Sequence, residues 1–109
     1  SGLSATIEFN RVPLVSKRLI EYVEMGAVPG GTNRNWDSYG HKVKLENNNA
    51  ESLYKNILAD PQTSGGLLIS VGRDSLEEVI SILNEYGLSD RTTPIGEMHE
   101  SESFAVSVN

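Results

Sequence analysis

The stretch Leu58-Ala59-Asp60-Pro61-Gln62-Thr63-Ser64-Gly65-Gly66-Leu67-Leu68-Ile69-Ser70-Val71 governs the reading of the fold. Its first half is polar and ends on paired glycines, so residues 60–66 are expected to form a loop without regular structure. Its second half, Leu67 to Val71, is apolar except for Ser70. A run this short and this apolar predicts a buried central strand. Ser75, with Glu78 three residues on, has the spacing of a capping box. Leu76, Val79, Ile80 and Leu83 follow at helical intervals and read as core, and Gly87 ends that helix. A strand over Thr92 to Met98 comes next, so strand, helix and strand around residues 67–95 suggest one right-handed crossover. Phe104 to Val108 is expected to pair with that strand through the turn near Glu100 to Glu102.

Upstream, Ser4 to Phe9 alternates, with Ala5, Ile7 and Phe9 on one face and Thr6 and Glu8 on the other. That period of two predicts a half-buried strand. Pro13 stands where a helix starts, its missing N–H costing nothing there. Leu14, Val15, Leu19, Ile20 and Val23 form the apolar stripe, and Gly26 is placed as a left-handed cap. Residues 29–40, PGGTNRNWDSYG, sustain no period and are expected to be a loop with at most one helical turn. His41 to Glu46 alternates as a strand, Asn47 to Asn49 is a polar turn, and Ala50 to Leu58 is a short helix with Leu53, Ile57 and Leu58 inward. The whole predicts one α+β domain over residues 1–109, a mixed β-sheet with helices packed on it.

Composition narrows the functional classes. A chain of 109 residues suits one domain, and its 38% hydrophobic and 22% charged residues are those of a globular protein. It contains no cysteine, which excludes disulfides, thiolate metal sites and a cysteine nucleophile within it. No apolar run approaches the roughly 20 residues that span a bilayer. The opening SGLSATIEF lacks a basic start and an apolar stretch, so neither a secretory signal nor a membrane partner is expected, and a cytoplasmic location is. The net charge of −6 is uneven. Residues 11–44 hold Arg11, Lys17, Arg18, Arg34, Lys42 and Lys44 against three acidic side chains, whereas residues 74–109 hold eight acidic side chains against Arg91. That acidic third disfavours nucleic acid as a partner, while a small anion remains compatible with the basic segment.

Two polar segments with paired glycines carry the chemistry: Pro29 to Asn35 and Asp60 to Gly66. Paired glycines let backbone amides approach a ligand closely, and the hydroxyls and amides beside them supply fixed donors. Arg34 adds a planar fork suited to phosphate or carboxylate. A helical turn opening at Gly31 and Thr32 adds free N–H groups. Both segments also fit ordinary turns, with Asp60 or Thr63 as caps. Neither matches a Walker loop, and no GxGxxG is present. His41 and His99, the two histidines, lie too far apart in sequence to indicate a shared metal. Trp36 and Tyr39 fit as rings anchoring a loop, and Glu97, Glu100 and Glu102 as a solvated acidic turn.

The string LADPQTSGGLLISV, preceded thirty residues earlier by VPGGTNRNWDSYG, resembles the C-terminal domain of the selenophosphate synthetases (selenide, water dikinases). These belong to the aminoimidazole-ribonucleotide-synthetase-like (AIR-synthase-like) ATP-dependent superfamily. The resemblance covers nearly the whole chain, including SGLSATIEF and the VPLV segment. It implies an α+β C-terminal domain of a longer enzyme whose N-terminal ATP-binding half lies outside these residues. The family is a transferase of kinase type that makes selenophosphate from selenide, ATP and water, releasing AMP and phosphate with Mg2+ bridging the phosphates. Its product feeds selenocysteine biosynthesis, and the full-length protein is expected to be a homodimer. The family's catalytic residues and metal ligands belong to its N-terminal region, so neither is expected here, and the chain alone is expected to be inactive. By the same resemblance Gly30, Gly31, Thr32, Arg34 and Asn35, with Gln62, Thr63, Ser64, Gly65 and Gly66, face the cleft between domains and bind substrate or phosphate. The alternative is a non-enzymatic small-ligand-binding or regulatory α+β module.

Overall fold

The alternation that begins at Ser4 yields a strand, β1, over Leu3–Ile7 in a computed structural model that describes residues 2–109. There follow α1 (Arg18–Glu24), α2 (Gly30–Tyr39), β2 (Val43–Leu45), α3 (Glu51–Leu58), α4 (Leu76–Glu85), β3 (Gly96–Glu100) and β4 (Val106–Val108). The strands make one mixed sheet in the order β2-β4-β1-β3. β4 runs parallel to both of its neighbours, and β3 is antiparallel to β1. The α+β class expected from the sequence is the class observed.

Register makes the sheet two-sided. Ile7, Val108 and Leu45 align in one row, and Ala5, Val106 and Val43 in the next. Residues two apart share a face, so these six give one apolar face, while Ser4, Thr6, Lys44 and Ser107 lie on the other. The core consists of Phe9, Tyr54, Ile57 and Val108, with Leu14, Leu19, Val23, Leu53 and Leu58 packed against it. Phe9 and Tyr54 stack with ring centroids 3.9 Å apart and 15° between planes. Such a pair contributes about 0.5–1.5 kcal/mol beyond its area burial. The helix ends are built as expected: Gly26 and Gly87 adopt φ of 85° and 75°. Ala27 N–H donates to the Tyr22 carbonyl and Leu88 N–H to the Leu83 carbonyl, each at 2.9 Å, which satisfies carbonyls the helix leaves free.

Several expectations are corrected. Residues 29–40 are not a loop but hold the ten-residue helix α2. α1 begins at Arg18 rather than Pro13, because Arg18 N–H is bonded to Ser16 Oγ at 3.2 Å, a local bond that competes with an earlier helical start. Val15 is consequently exposed, while Leu14 reaches the core from irregular chain. The capping box does not form: Ser75 has helical backbone angles (φ −99°, ψ −1°) and makes no side-chain cap, whereas a capping residue is extended. The stripe of α4 is half-buried and lies outside the core cluster.

The largest correction concerns Leu67 to Val71, which forms no strand and is exposed, Leu67 by 92% and Leu68 by 76%. A run apolar on both sides requires cover on both sides, and this sheet has only one apolar face. The crossover expected around residues 67–95 disappears with it. β3 and β4 do not pair either, because β1 lies between them. The connection that follows β3 is pinned to β1 by Ser4. Its buried hydroxyl donates to the Phe104 carbonyl and accepts from Glu102 N–H, both at 2.8 Å. No helix among the described residues is long and apolar enough to cross a membrane.

This arrangement assigns opposite weights to two apolar residues. Val108→Ala is expected to lower unfolding free energy by about 2 kcal/mol, and Leu67→Ala by less than about 0.5 kcal/mol. Urea denaturation of the two variants measures this, and equal losses would contradict the position given to Leu67.

Candidate functional site

α2 begins where Pro29 leaves the chain extended (φ −62°, ψ 142°) and Gly30 turns it helical. Thr32, Asn35 and Trp36 lie along one side of α2, spaced one turn apart, with Trp36 half-buried and Asn35 exposed. Thr32 is fully buried. Asn35 Nδ2 donates to the Ala59 carbonyl at 2.9 Å, and Lys55 Nζ lies 6.0 Å from the centre of the Trp36 ring. These contacts tie α2 to the end of α3 and the start of the 60–66 loop. Two of these three residues are polar, which is why hydropathy alone does not reveal the helix.

α2 also comes close to the loop at Gly31. A Cβ there would fall 2.9 Å from Pro61 Cγ and 3.2 Å from Pro61 Cβ. A pyrrolidine ring cannot rotate aside as a flexible side chain does. The missing side chain of Gly31 is therefore what lets the two segments touch, and the structure joins the two stretches that the sequence singled out thirty residues apart. Within the loop, Gln62 Nε2 donates to Asp60 Oδ2 at 2.6 Å. A Cβ on Gly65 would meet Gln62 Cβ at 3.2 Å, so the loop turns closely on itself.

The ten residues expected to bind substrate are not equivalent. Gly30, Arg34, Gln62, Thr63, Ser64, Gly65 and Gly66 are exposed, and Gly31 is half-buried. The Arg34 guanidinium takes no part in the ion pairs found among the described residues. Asn35 is also exposed, yet its amide nitrogen is held by Ala59, leaving Oδ1 for other partners. Thr32 lies beneath the surface, and its hydroxyl has no hydrogen-bond partner among the described residues. As placed here it does not reach a ligand at the surface. Asp60, Ala59 and Pro61 form the seam between the segments. Their part as contact residues follows from Gly31 and Asn35 and has no signal of its own in the sequence.

Below this seam lies a hollow of about 120 Å³ lined by Leu19, Val23, Ala27, Pro29, Asn56, Ile57 and Asp60. A larger, open hollow of about 420 Å³ at Lys44, Glu46, Phe104 and Ser107 contains none of the ten residues, and its Lys44–Glu46 ion pair is closed internally at 2.8 Å. Thr32 N–H already donates to the Pro29 carbonyl at 3.0 Å, so the Gly30 and Gly31 amides head the helix. Exposed amides at a helix start, two hydroxyls and one guanidinium suit an anion. None of them is a nucleophile or a general base. No group of three His, Asp or Glu side chains converges among the described residues. His99 is engaged in the sheet, with Nε2 3.0 Å from Thr6 Oγ1 and Nδ1 3.0 Å from the Glu100 carbonyl oxygen.

Among curated proteins the chain is similar to several named selenide, water dikinase. It is 44% identical to that of Aeromonas hydrophila over 98 residues, 90% of this chain and 26% of the relative. With the Pseudomonas putida protein it shares 41% identity over 108 residues, 99% of this chain and 29% of the relative. The corresponding values for Photorhabdus laumondii are 42% over 106 residues, 97% and 28%. The chain thus spans between a quarter and a third of the length of the relatives it matches. No protein-family profile matches it.

The seam itself is testable. Gly31→Val is expected to lower stability by about 1–3 kcal/mol through overpacking against Pro61. Pro61→Gly in the same chain should recover at least half of that loss in a double-mutant cycle. Additive effects of the two substitutions would show that the segments do not touch.

Proposed function

We propose that this chain, which belongs to the selenide, water dikinase family and spans about a quarter of its relatives' length, is the C-terminal domain of a selenophosphate synthetase and helps close the substrate cleft over phosphate. The carrying observation is the approach of Gly31 to Pro61, which merges two glycine-paired segments into one edge rich in donors. The reaction in question makes selenophosphate from selenide, ATP and water, with AMP and phosphate as the other products. Phosphoryl transfer depends chiefly on positioning and on neutralising charge. The amides of Gly30, Gly31, Gly65 and Gly66 and the hydroxyls of Thr63 and Ser64 orient phosphate oxygens on this reading. Arg34 supplies the one full positive charge. Thr32 and Asn35 hold α2 in place, and the Asp60–Gln62 bond keeps the loop turned.

The residues that perform the chemistry belong to the N-terminal ATP-binding region of the same polypeptide in this proposal. Mg2+ would neutralise phosphate charge when bound, but the residues described here do not fit a metal, and no role of theirs is routed through one. Pairing of two full-length copies, a cytoplasmic location and a place in selenocysteine biosynthesis are parts of the same proposal.

A charge-assisted hydrogen bond contributes about 1.5–3 kcal/mol, or roughly tenfold to a hundredfold in rate. In the full-length protein, Arg34→Ala and Gly65→Val are therefore each expected to reduce selenide-dependent AMP formation at least tenfold. Circular dichroism should show the fold retained. Wild-type rates in both variants would overturn the assignment.

A further inference from the structure

Two neighbouring residues of α2 meet two residues of α3 that stand one turn apart. Asn35 Nδ2 donates to the Ala59 carbonyl at 2.9 Å, and Lys55 Nζ lies over the Trp36 ring, 6.0 Å from its centre. Ala59 N–H in turn donates to the Lys55 carbonyl at 3.0 Å, so both contacts end on one turn of α3. The ring is also fitted closely to its own segment. A Cβ on Gly40 would fall 2.6 Å from Trp36 Cε2 and 2.8 Å from Cδ2 and Nε1, so only a residue without a side chain leaves room for the indole there.

Lys55 is half-buried and belongs to none of the ion pairs found among the described residues. Glu51 stands four residues earlier on the same helix, a spacing at which glutamate and lysine commonly pair, yet the ammonium lies over the indole instead. The ring quadrupole attracts a cation over its face, and tryptophan offers the strongest such face. α2 has little apolar surface to hold it otherwise, since Thr32 is its one buried residue. The Lys55–Trp36 contact therefore joins α2 to α3 by charge where packing is thin.

We propose that Lys55, acting through Trp36, is a positioning residue for the edge formed by Gly30, Gly31, Arg34 and the 60–66 loop. The inference rests on reading that edge as the one that orients phosphate. A helix moves as a body, so the place of Trp36 sets the places of Gly30, Gly31 and Arg34, all less than two turns earlier. Lys55 holds the indole, the indole holds α2, and α2 presents the donors. Neither Lys55 nor Trp36 touches the substrate. Small displacements of positioned donors are felt in the reaction even when their cause lies away from the chemistry.

Steady-state kinetics of the full-length protein tests this. Lys55→Met removes the charge and keeps most of the stem, Lys55→Arg keeps a cation over the ring, and Trp36→Leu removes the ring. Lys55→Met is expected to raise KM for ATP roughly two- to fivefold, the span an exposed cation–π contact supports, with KM for selenide unchanged. Lys55→Arg should restore the wild-type value, and in a Trp36→Leu background Lys55→Met should have no further effect. A merely structural role would lower Tm without separating the two KM values. If Trp36→Leu does not fold, the Lys55→Met and Lys55→Arg pair decides alone. Wild-type KM for ATP in Lys55→Met overturns the inference. So does an equal rise in both KM values, or an undiminished effect of Lys55→Met in the Trp36→Leu background, which would mean that Lys55 meets the substrate itself. Arg34→Ala separates the two readings. Slowed AMP formation there, with wild-type kinetics in Lys55→Met, refutes the positioning role alone, whereas wild-type rates in Arg34→Ala refute the functional reading and the inference with it.

Discussion

β4 is hydrogen-bonded on both sides, to β1 and to β2, and its three residues hold the ends of the chain and its middle in one sheet. Asn109 N–H donates to the Ile7 carbonyl, Phe9 N–H to the Asn109 carbonyl and Glu46 N–H to the Val108 carbonyl, each at 2.9 Å. Val108 is 1% exposed. Full burial of such a side chain contributes about 1.5–3 kcal/mol. More follows from its position: this seam fixes Phe9, Phe9 stacks on Tyr54, and Tyr54 sets α3 against the sheet. Ala59 at the end of α3 then receives the Asn35 amide, which brings Gly31 up to Pro61. The edge where the two glycine-paired segments meet is thus the far end of a chain of contacts that begins in the sheet.

Local signals were legible where the physics is local. The alternation from Ser4 gave β1, the apolar side of residues 50–58 gave α3, and Gly26 and Gly87 marked helix ends because only a left-handed residue closes those turns. The two glycine-paired segments could be picked out for the same reason. Their contact could not, since it depends on α2, a helix that meets its neighbours through Gly31, Asn35 and Trp36 rather than through an apolar stripe. Nor does alternation within a strand say which strand lies beside it. β1 enters between β3 and β4 through pairings about a hundred residues apart in sequence, as in Ala5 with Val106. Leu67 to Val71 illustrates the converse. Apolar composition reports a need for cover, and the cover has to exist elsewhere in the molecule.

On the proposed reading this edge supplies donors and one positive charge, and the reacting groups belong to another part of the protein. Phosphoryl transfer tolerates that division, because one element can position the phosphates while another carries the reacting groups. Exposure of Arg34, Thr63, Ser64, Gly65 and Gly66 leaves their polar groups available to a ligand approaching from outside the chain. The buried Thr32 hydroxyl, without a partner among the described residues, directly follows Gly31 in the chain.

The most direct measurement is a structure of the full-length protein with a non-hydrolysable ATP analogue. Phosphate oxygens within about 3 Å of donors from both segments, the amides of Gly30 or Gly31 on one side and those of Gly65 or Gly66 on the other, are what this account predicts. Phosphates held entirely by residues outside this chain, with both segments turned away from the nucleotide, would contradict it.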